Sequence, residues 1–221
     1  MKIAFVTECD YNLPHEDIAG CNVVIFPFYI KEPISYNREI RGQTVFFRAL
    51  TNLSKSLKTT VIAGLDTDSY GSLRHSVAVC DGGRLLGISD MTLIADGEKY
   101  LGGGSLRVYE THAGKIGVAV GSDMLSSDCV RTLALCGADV IVNVSDPIID
   151  SNVGISARAK AYEFGLPIAV CANKNAMLAS PSGEMVFTSP KKISVANVRM
   201  DKEFHLITQR RRGRKQHRNR S

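Results

Sequence analysis

The chain alternates short apolar, β-branched runs with longer stretches whose apolar residues recur every three or four positions. Strand character is strongest at 2–6 (KIAFV), 22–28 (NVVIFPF), 59–63 (TTVIA), 75–80 (HSVAVC) and 84–89 (RLLGIS). It returns at 106–111 (LRVYET), 115–120 (KIGVAV), 139–144 (DVIVNV), 167–172 (PIAVCA) and 185–188 (MVFT). A strand with one wet face alternates apolar and polar residues. These runs are close to continuously apolar, which predicts strands covered by other layers.

Three stretches predict helices. Residues 42–58 place Val45, Phe46, Ala49, Leu53 and Leu57 near one face. Residues 126–137 open on Ser-Ser-Asp and close on Gly137, suited to an N-terminal and a C-terminal cap respectively. The stretch 151–165 ends on a glycine in the same way. Asp-Gly-Gly at 81–83 and SPSGEM at 180–185 read as tight turns between strands. Helices between strands predict parallel βαβ units, and the tight turns predict antiparallel hairpins, so the class is α/β with mixed sheets. No repeat or linker divides the body. The expected organisation is one domain over 1–208 with an appended segment, 209–221.

Composition narrows the picture. At 221 residues and 44% hydrophobic content, the chain can bury a core without disulfides or metals. None of Cys9, Cys21, Cys80, Cys129, Cys136 and Cys171 forms a C-x-x-C pair, which leaves zinc-site and thioredoxin-type readings without support. Reduced, buried cysteines are expected, with Cys129 and Cys136 on one helix face. His15, His75, His112 and His205 lie far apart in sequence and His217 sits in the tail, so no metal site and no cofactor is expected. The glycine run 101–105 (LGGGS) lacks the Gly-Lys-Ser/Thr ending of a phosphate loop and reads as a flexible connection. The opening MKIAFVTECD reads as a first strand and not as a signal sequence, and no run is long enough for a membrane span. A cytoplasmic protein without membrane contact is the expectation.

Charge separates the tail from the body. Residues 210–221 (RRRGRKQHRNRS) hold seven Arg or Lys and no acid, against a net +5 for the whole chain; the remainder therefore carries net −2. Such a tail can hold a polyanion by counterion release, a role assigned to residues 210–220 as one alternative function. It carries no aromatic to stack on a base.

The order of blocks resembles the nitrilase, or carbon–nitrogen hydrolase, superfamily. The segment GKIGVAVGSDMLSSDCVRTLALCGADVIVNVSD is similar to that family's core, in which a strand ends at a Cys-aromatic-Asp elbow before a helix, "GAD" and another apolar strand. Asp123, Arg131 and residues 137–139 match. NVVIFPF, TTVIAGLD, HSVAVCDGGRLLG, ARAKAYEFGLPIAVCAN and SPSGEM follow in the family's order, covering roughly residues 1–200. The resemblance implies a four-layer α-β-β-α sandwich of two mixed sheets with outer helices, and a homodimer. It also implies chemistry: a cysteine thiolate attacks an amide or nitrile carbon, a glutamate serves as base, and a lysine stabilises the oxyanion.

Carried over position by position, the resemblance places the cysteine at Gly121, the glutamate at Phe28 and the lysine at Met91. None of these side chains can perform its role. The expectation is a non-catalytic homologue acting as a binding or regulatory protein, with a small amide-like ligand or an active paralogue as partner. The alternative is a diverged amidase or nitrilase-type hydrolase with relocated groups, for which Ser122, Cys129, Glu32 and Lys99 are the candidate substitutes. Asp123 is expected to accept N–H bonds at the start of the following helix.

Overall fold

The computed structural model describes residues 1–8, 15–145 and 151–199. The basic segment 209–221, Cys9 and His205 lie outside these residues. In chain order the elements are β1 (Lys2–Val6), α1 (His15–Ile18), β2 (Val23–Ser35), α2 (Tyr36–Ile40), α3 (Phe46–Leu57), β3 (Thr60–Ser69), β4 (Ser72–Asp81) and β5 (Arg84–Asp90). There follow β6 (Arg107–Thr111), β7 (Gly114–Val120), a 3-10 turn (Gly121–Leu125), α4 (Ser127–Leu135), β8 (Val140–Val144) and α5 (Ser151–Phe164). The remainder is β9 (Ile168–Ala172), β10 (Asn175–Ala179), β11 (Met185–Ser189) and β12 (Ile193–Asn197).

Two six-stranded mixed sheets form, in the orders β12-β1-β2-β3-β4-β5 and β11-β10-β9-β8-β7-β6. Their inner faces meet in one apolar layer that includes Ile3, Phe5, Ile25, Ile62, Val118, Val142 and Cys171. A second cluster packs the outer face of one sheet on α1 and α3 through Ala4, Phe26, Ala63, Ile18 and Leu50. A third packs the other sheet on α4 and α5 through Ala119, Ile141, Val130, Ala157 and Phe164. The expected α-β-β-α sandwich is present. Both faces of each sheet are covered, which explains the continuously apolar strand sequences.

The long strand β2 contains the feature that first positions the site. Val24 and Phe26 pack outward against the helices, whereas Val23 and Ile25 pack inward. Simple alternation would send residue 28 outward with residue 26. The register instead shifts between Phe26 (opposite Ala63) and Phe28 (opposite Gly64), leaving Pro27 as the extra residue. Proline lacks the N–H that a ladder position needs, so a bulge is its natural place. The bulge turns Phe28 into the layer between the sheets.

Several expectations are corrected. The strand predicted at 22–28 continues to Ser35, because Ile34 and Ser35 pair with Thr67 and Asp68. Glu32 is therefore an exposed residue of this strand. Strands β10 and β12 were not expected from the pattern. Asn-Ala-Met-Leu-Ala is not β-branched, and pairing with β9 through a turn at Lys174 (φ 62°) makes it a strand. Around α3, Phe46, Leu53 and Leu57 pack on the outer cluster as expected, but the fully buried residues are Leu50 and Ser54, and Val45 and Ala49 face solvent. Cys136 caps α4 and is exposed, so it does not share a buried face with Cys129. The run 101–105 is not a loose connection either. A Cβ on Gly103 would lie 2.7 Å from Cβ of Asp90, and its N–H donates to the Met91 carbonyl at 2.7 Å. The glycine is there because two backbones cross too closely for a side chain.

Candidate functional site

The site is built where β7 ends. Val120 is extended, and Gly121 turns the chain at φ +51°, a left-handed conformation that favours glycine. Asn143, fully buried on the neighbouring β8, donates its Nδ2 to the carbonyls of Ala119 (3.0 Å) and Gly121 (3.1 Å). The corner is thus tied to the adjacent strand.

A second set of bonds ties it to the segment following β5. Asp123 is fully buried and accepts from Thr92 N (2.9 Å to Oδ1), Leu93 N (3.0 Å) and Thr92 Oγ1 (2.8 Å). Burial pushes its carboxyl above the usual range, opposed by these hydrogen bonds. Asp123 does not cap α4, contrary to expectation. Ser126 does so, accepting from Cys129 N at 3.4 Å. Asp123 instead clamps a loop thirty residues earlier in the chain to the corner. Ser122 adds to the clamp, donating to the Leu93 carbonyl at 2.7 Å, with the Met91 sulfur 3.3 Å from its Oγ.

These straps bring the positions singled out in the sequence together. Met91 is buried, and its Sδ lies 2.6 Å from the point a Cβ on Gly121 would occupy. Its N–H donates to the His75 carbonyl at 2.8 Å. The His75 imidazole in turn packs against the ring of Phe28, centroids 5.0 Å apart. Phe28, Met91 and Gly121 therefore gather at one end of the inter-sheet core, linked through His75.

The four candidate substitutes separate into two groups. Ser122 and Cys129 both reach the 91–93 loop, the latter through an Sγ 3.6 Å from Thr92 Oγ1. Cys129 is buried. Glu32 is exposed on β2, and Lys99 is exposed with its Nζ 5.0 Å from the centroid of Tyr100. On the outer side, α5 supports the 3-10 turn. Lys160 donates to the Leu125 carbonyl at 3.1 Å and also bonds Ser156 Oγ, which donates to the Met124 carbonyl at 3.0 Å. Burial pulls the Lys160 pKa down, against the upward pull of Glu163 and Cys129.

Sequence reasoning missed one polar group altogether. Asp66 on β3 and His75 on β4 stand directly opposite each other, with His75 Nδ1 2.6 Å from Asp66 Oδ1. Tyr100 donates its hydroxyl to Asp66 Oδ2 at 2.9 Å and stacks on the imidazole, centroids 3.6 Å apart. The signal lay in the β3–β4 hairpin: once its turn at Tyr70–Gly71 is placed, the pairing of 66 with 75 follows. Among the described residues, no three His, Cys, Asp or Glu side chains are grouped to hold a metal ion. No helix among them is long and apolar enough to cross a membrane.

Two covered sheets, outer helices and a strand that breaks into a clamped 3-10 corner define a nitrilase-type sandwich. A family model described as carbon–nitrogen hydrolase matches residues 12–203, and the chain belongs to that family. It is 26% identical over 174 residues to a probable nitrilase of Schizosaccharomyces pombe, a match that takes in 72% of this chain. The match spans 63% of that relative's length. Among solved structures, the carbon–nitrogen hydrolase of Helicobacter pylori G27 superposes with a TM-score of 0.74 at 18% identity, covering 90% of this chain and 89% of the other. A mutant amidase of the nitrilase superfamily from Nesterenkonia AN1 gives 0.72 at 14% identity, covering 88% of each chain. Nit3 of Saccharomyces cerevisiae gives 0.70 at 15%, covering 89% of each. These three share the fold.

Proposed function

We propose that this protein is a non-catalytic member of the carbon–nitrogen hydrolase family that acts by binding, as a regulatory or ligand-holding protein. The observation that carries this reading is the contact between Met91 and Gly121. The family's cysteine and lysine positions would have to meet across a small space, one to attack a carbon and the other to hold the oxyanion. Here a thioether fills the space a nucleophile at 121 would need. The base position is a buried phenyl ring. A thiol without a base is a poor nucleophile, and an oxyanion without a donor is unstable, so a site lacking all three groups has no means of lowering the barrier to the family's reaction. The partners this reading suggests are a second copy of the chain, an active paralogue and a small amide-like ligand.

The test is ammonia release from a broad panel of amides, nitriles and carbamoyl compounds incubated with pure protein. No release is expected. Release that disappears in Cys129→Ala or Ser122→Ala would overturn the reading in favour of relocated catalysis.

A further inference from the structure

Tyr100 is placed like a bound ligand. Its ring lies 3.6 Å from the His75 imidazole, centroid to centroid, with planes 30° apart. Its hydroxyl donates to Asp66 Oδ2 at 2.9 Å, while the other oxygen of that carboxylate is held by His75 Nδ1 at 2.6 Å. Phe28 packs against the opposite partner of this stack, 5.0 Å from the imidazole centroid. An aromatic surface, an apolar neighbour and one fixed acceptor are the elements that select a flat molecule bearing a donor.

The segment delivering Tyr100 is only lightly attached. Residues 95–99 are all exposed, and among the described residues their backbone makes one turn bond of its own, Glu98 N to Ala95 O. Firm attachment resumes at Leu101, whose N–H donates to the Leu73 carbonyl at 2.8 Å, and at Gly103 on Met91. Asp66 and His75, by contrast, belong to a ten-residue pair of strands with continuous register. The acceptor side is rigid, and the occupying side hangs on an exposed loop.

We propose that Asp66 and His75 form a binding site for a small planar group carrying a hydrogen-bond donor, a phenol in particular, and that Tyr100 occupies this site in the ligand-free protein. A ligand of this class displaces Tyr100, takes its stacking place on His75 and donates to Asp66. The site is thereby self-occupied until a competing phenol arrives, and displacement of Tyr100 frees the 95–100 segment. This deepens the reading of the protein as a binder, but its test is separate: phenol binding can fail while the amide panel stays silent.

The experiment uses Tyr100→Ala with p-cresol as probe and toluene as the control that lacks the donor, read by calorimetry and by thermal shift. Tyr100→Ala should bind p-cresol saturably and at least about ten-fold more tightly than toluene, the factor expected of a hydrogen bond to a carboxylate. The native chain, in which Tyr100 competes, should bind p-cresol more weakly than the variant. Adding Asp66→Ala, which removes the acceptor, should abolish the preference over toluene. A folded Tyr100→Ala protein that ignores p-cresol, or binds both probes alike, refutes the site. If the variant does not fold, the native chain is titrated with p-cresol and followed by the His75 and Tyr100 ring resonances. Shifts with p-cresol and none with toluene support the site, and unmoved resonances refute it.

Discussion

Gly121 and Met91 should be coupled, and the coupling can be worked out from the geometry. Gly121→Ala imposes two separate costs. The first is backbone: at φ +51° a Cβ is strained, worth about 1–2 kcal/mol whatever lies nearby. The second is steric, because the new methyl lands 2.6 Å from the Met91 sulfur. Overpacking of this kind costs about 1–3 kcal/mol, and since methionine is flexible the lower part of that range applies. Gly121→Ala alone should therefore cost about 2–4 kcal/mol. Met91→Ala alone leaves a cavity in the core and should cost about 2–5 kcal/mol. In the double variant the alanine methyl enters the space the thioether has left, so the steric part vanishes and the backbone part stays. Urea unfolding of the four proteins should show the double variant more stable than the summed single effects predict, by about 1 kcal/mol or more. Additivity to within about 0.4 kcal/mol would mean that Met91 does not occupy the space at Gly121, which refutes the filled position proposed for the nucleophile.

Other consequences can be checked with the same material. Because the folded state holds the Asp123 proton more readily than the unfolded chain, protonating it contributes stability that grows as pH falls from the raised folded value toward 3.8. The native pH–stability profile minus that of Asp123→Asn should show this rise on acidification, and a flat difference excludes it. Lys160 has the opposite sign of linkage. Its folded pKa is lowered, so stability should increase as pH rises from that value toward 10.5, and Lys160→Met should lack this alkaline gain. Gly103→Ala places a methyl 2.7 Å from Asp90 Cβ and 3.0 Å from its carbonyl, and should cost about 1–3 kcal/mol in chemical denaturation. Cys136 is exposed, whereas burial pushes the Cys80 thiol up to about 12. Thiol labelling of the native protein should therefore lose one fast-reacting equivalent in Cys136→Ser and none in Cys80→Ser.

Much of the architecture is readable from local pattern. Continuous apolar runs report strands covered on both faces, and cap residues and glycines bound α4 and α5 within a residue or two. The order of blocks was enough to reach the family, and it named Phe28, Met91 and Gly121 as positions to compare. Local pattern failed where a neighbour far away in sequence decides the outcome. NAMLA is a strand because β9 lies beside it, and 101–105 is a tight crossing because Asp90 lies beneath it.

By itself, then, the sequence determined the layers and the corner after β7, and it offered Phe28, Met91 and Gly121 as the positions to compare with the family's three. Only the tertiary structure decided what those positions do together. The bulge at Pro27 turned Phe28 inward, the Asp123 clamp carried residues 91–93 to the corner, and the β3–β4 register set Asp66 against His75 beneath Tyr100. The reason is physical: burial periodicity is carried within a few residues, whereas each of these contacts joins segments that meet only after the sheets have paired.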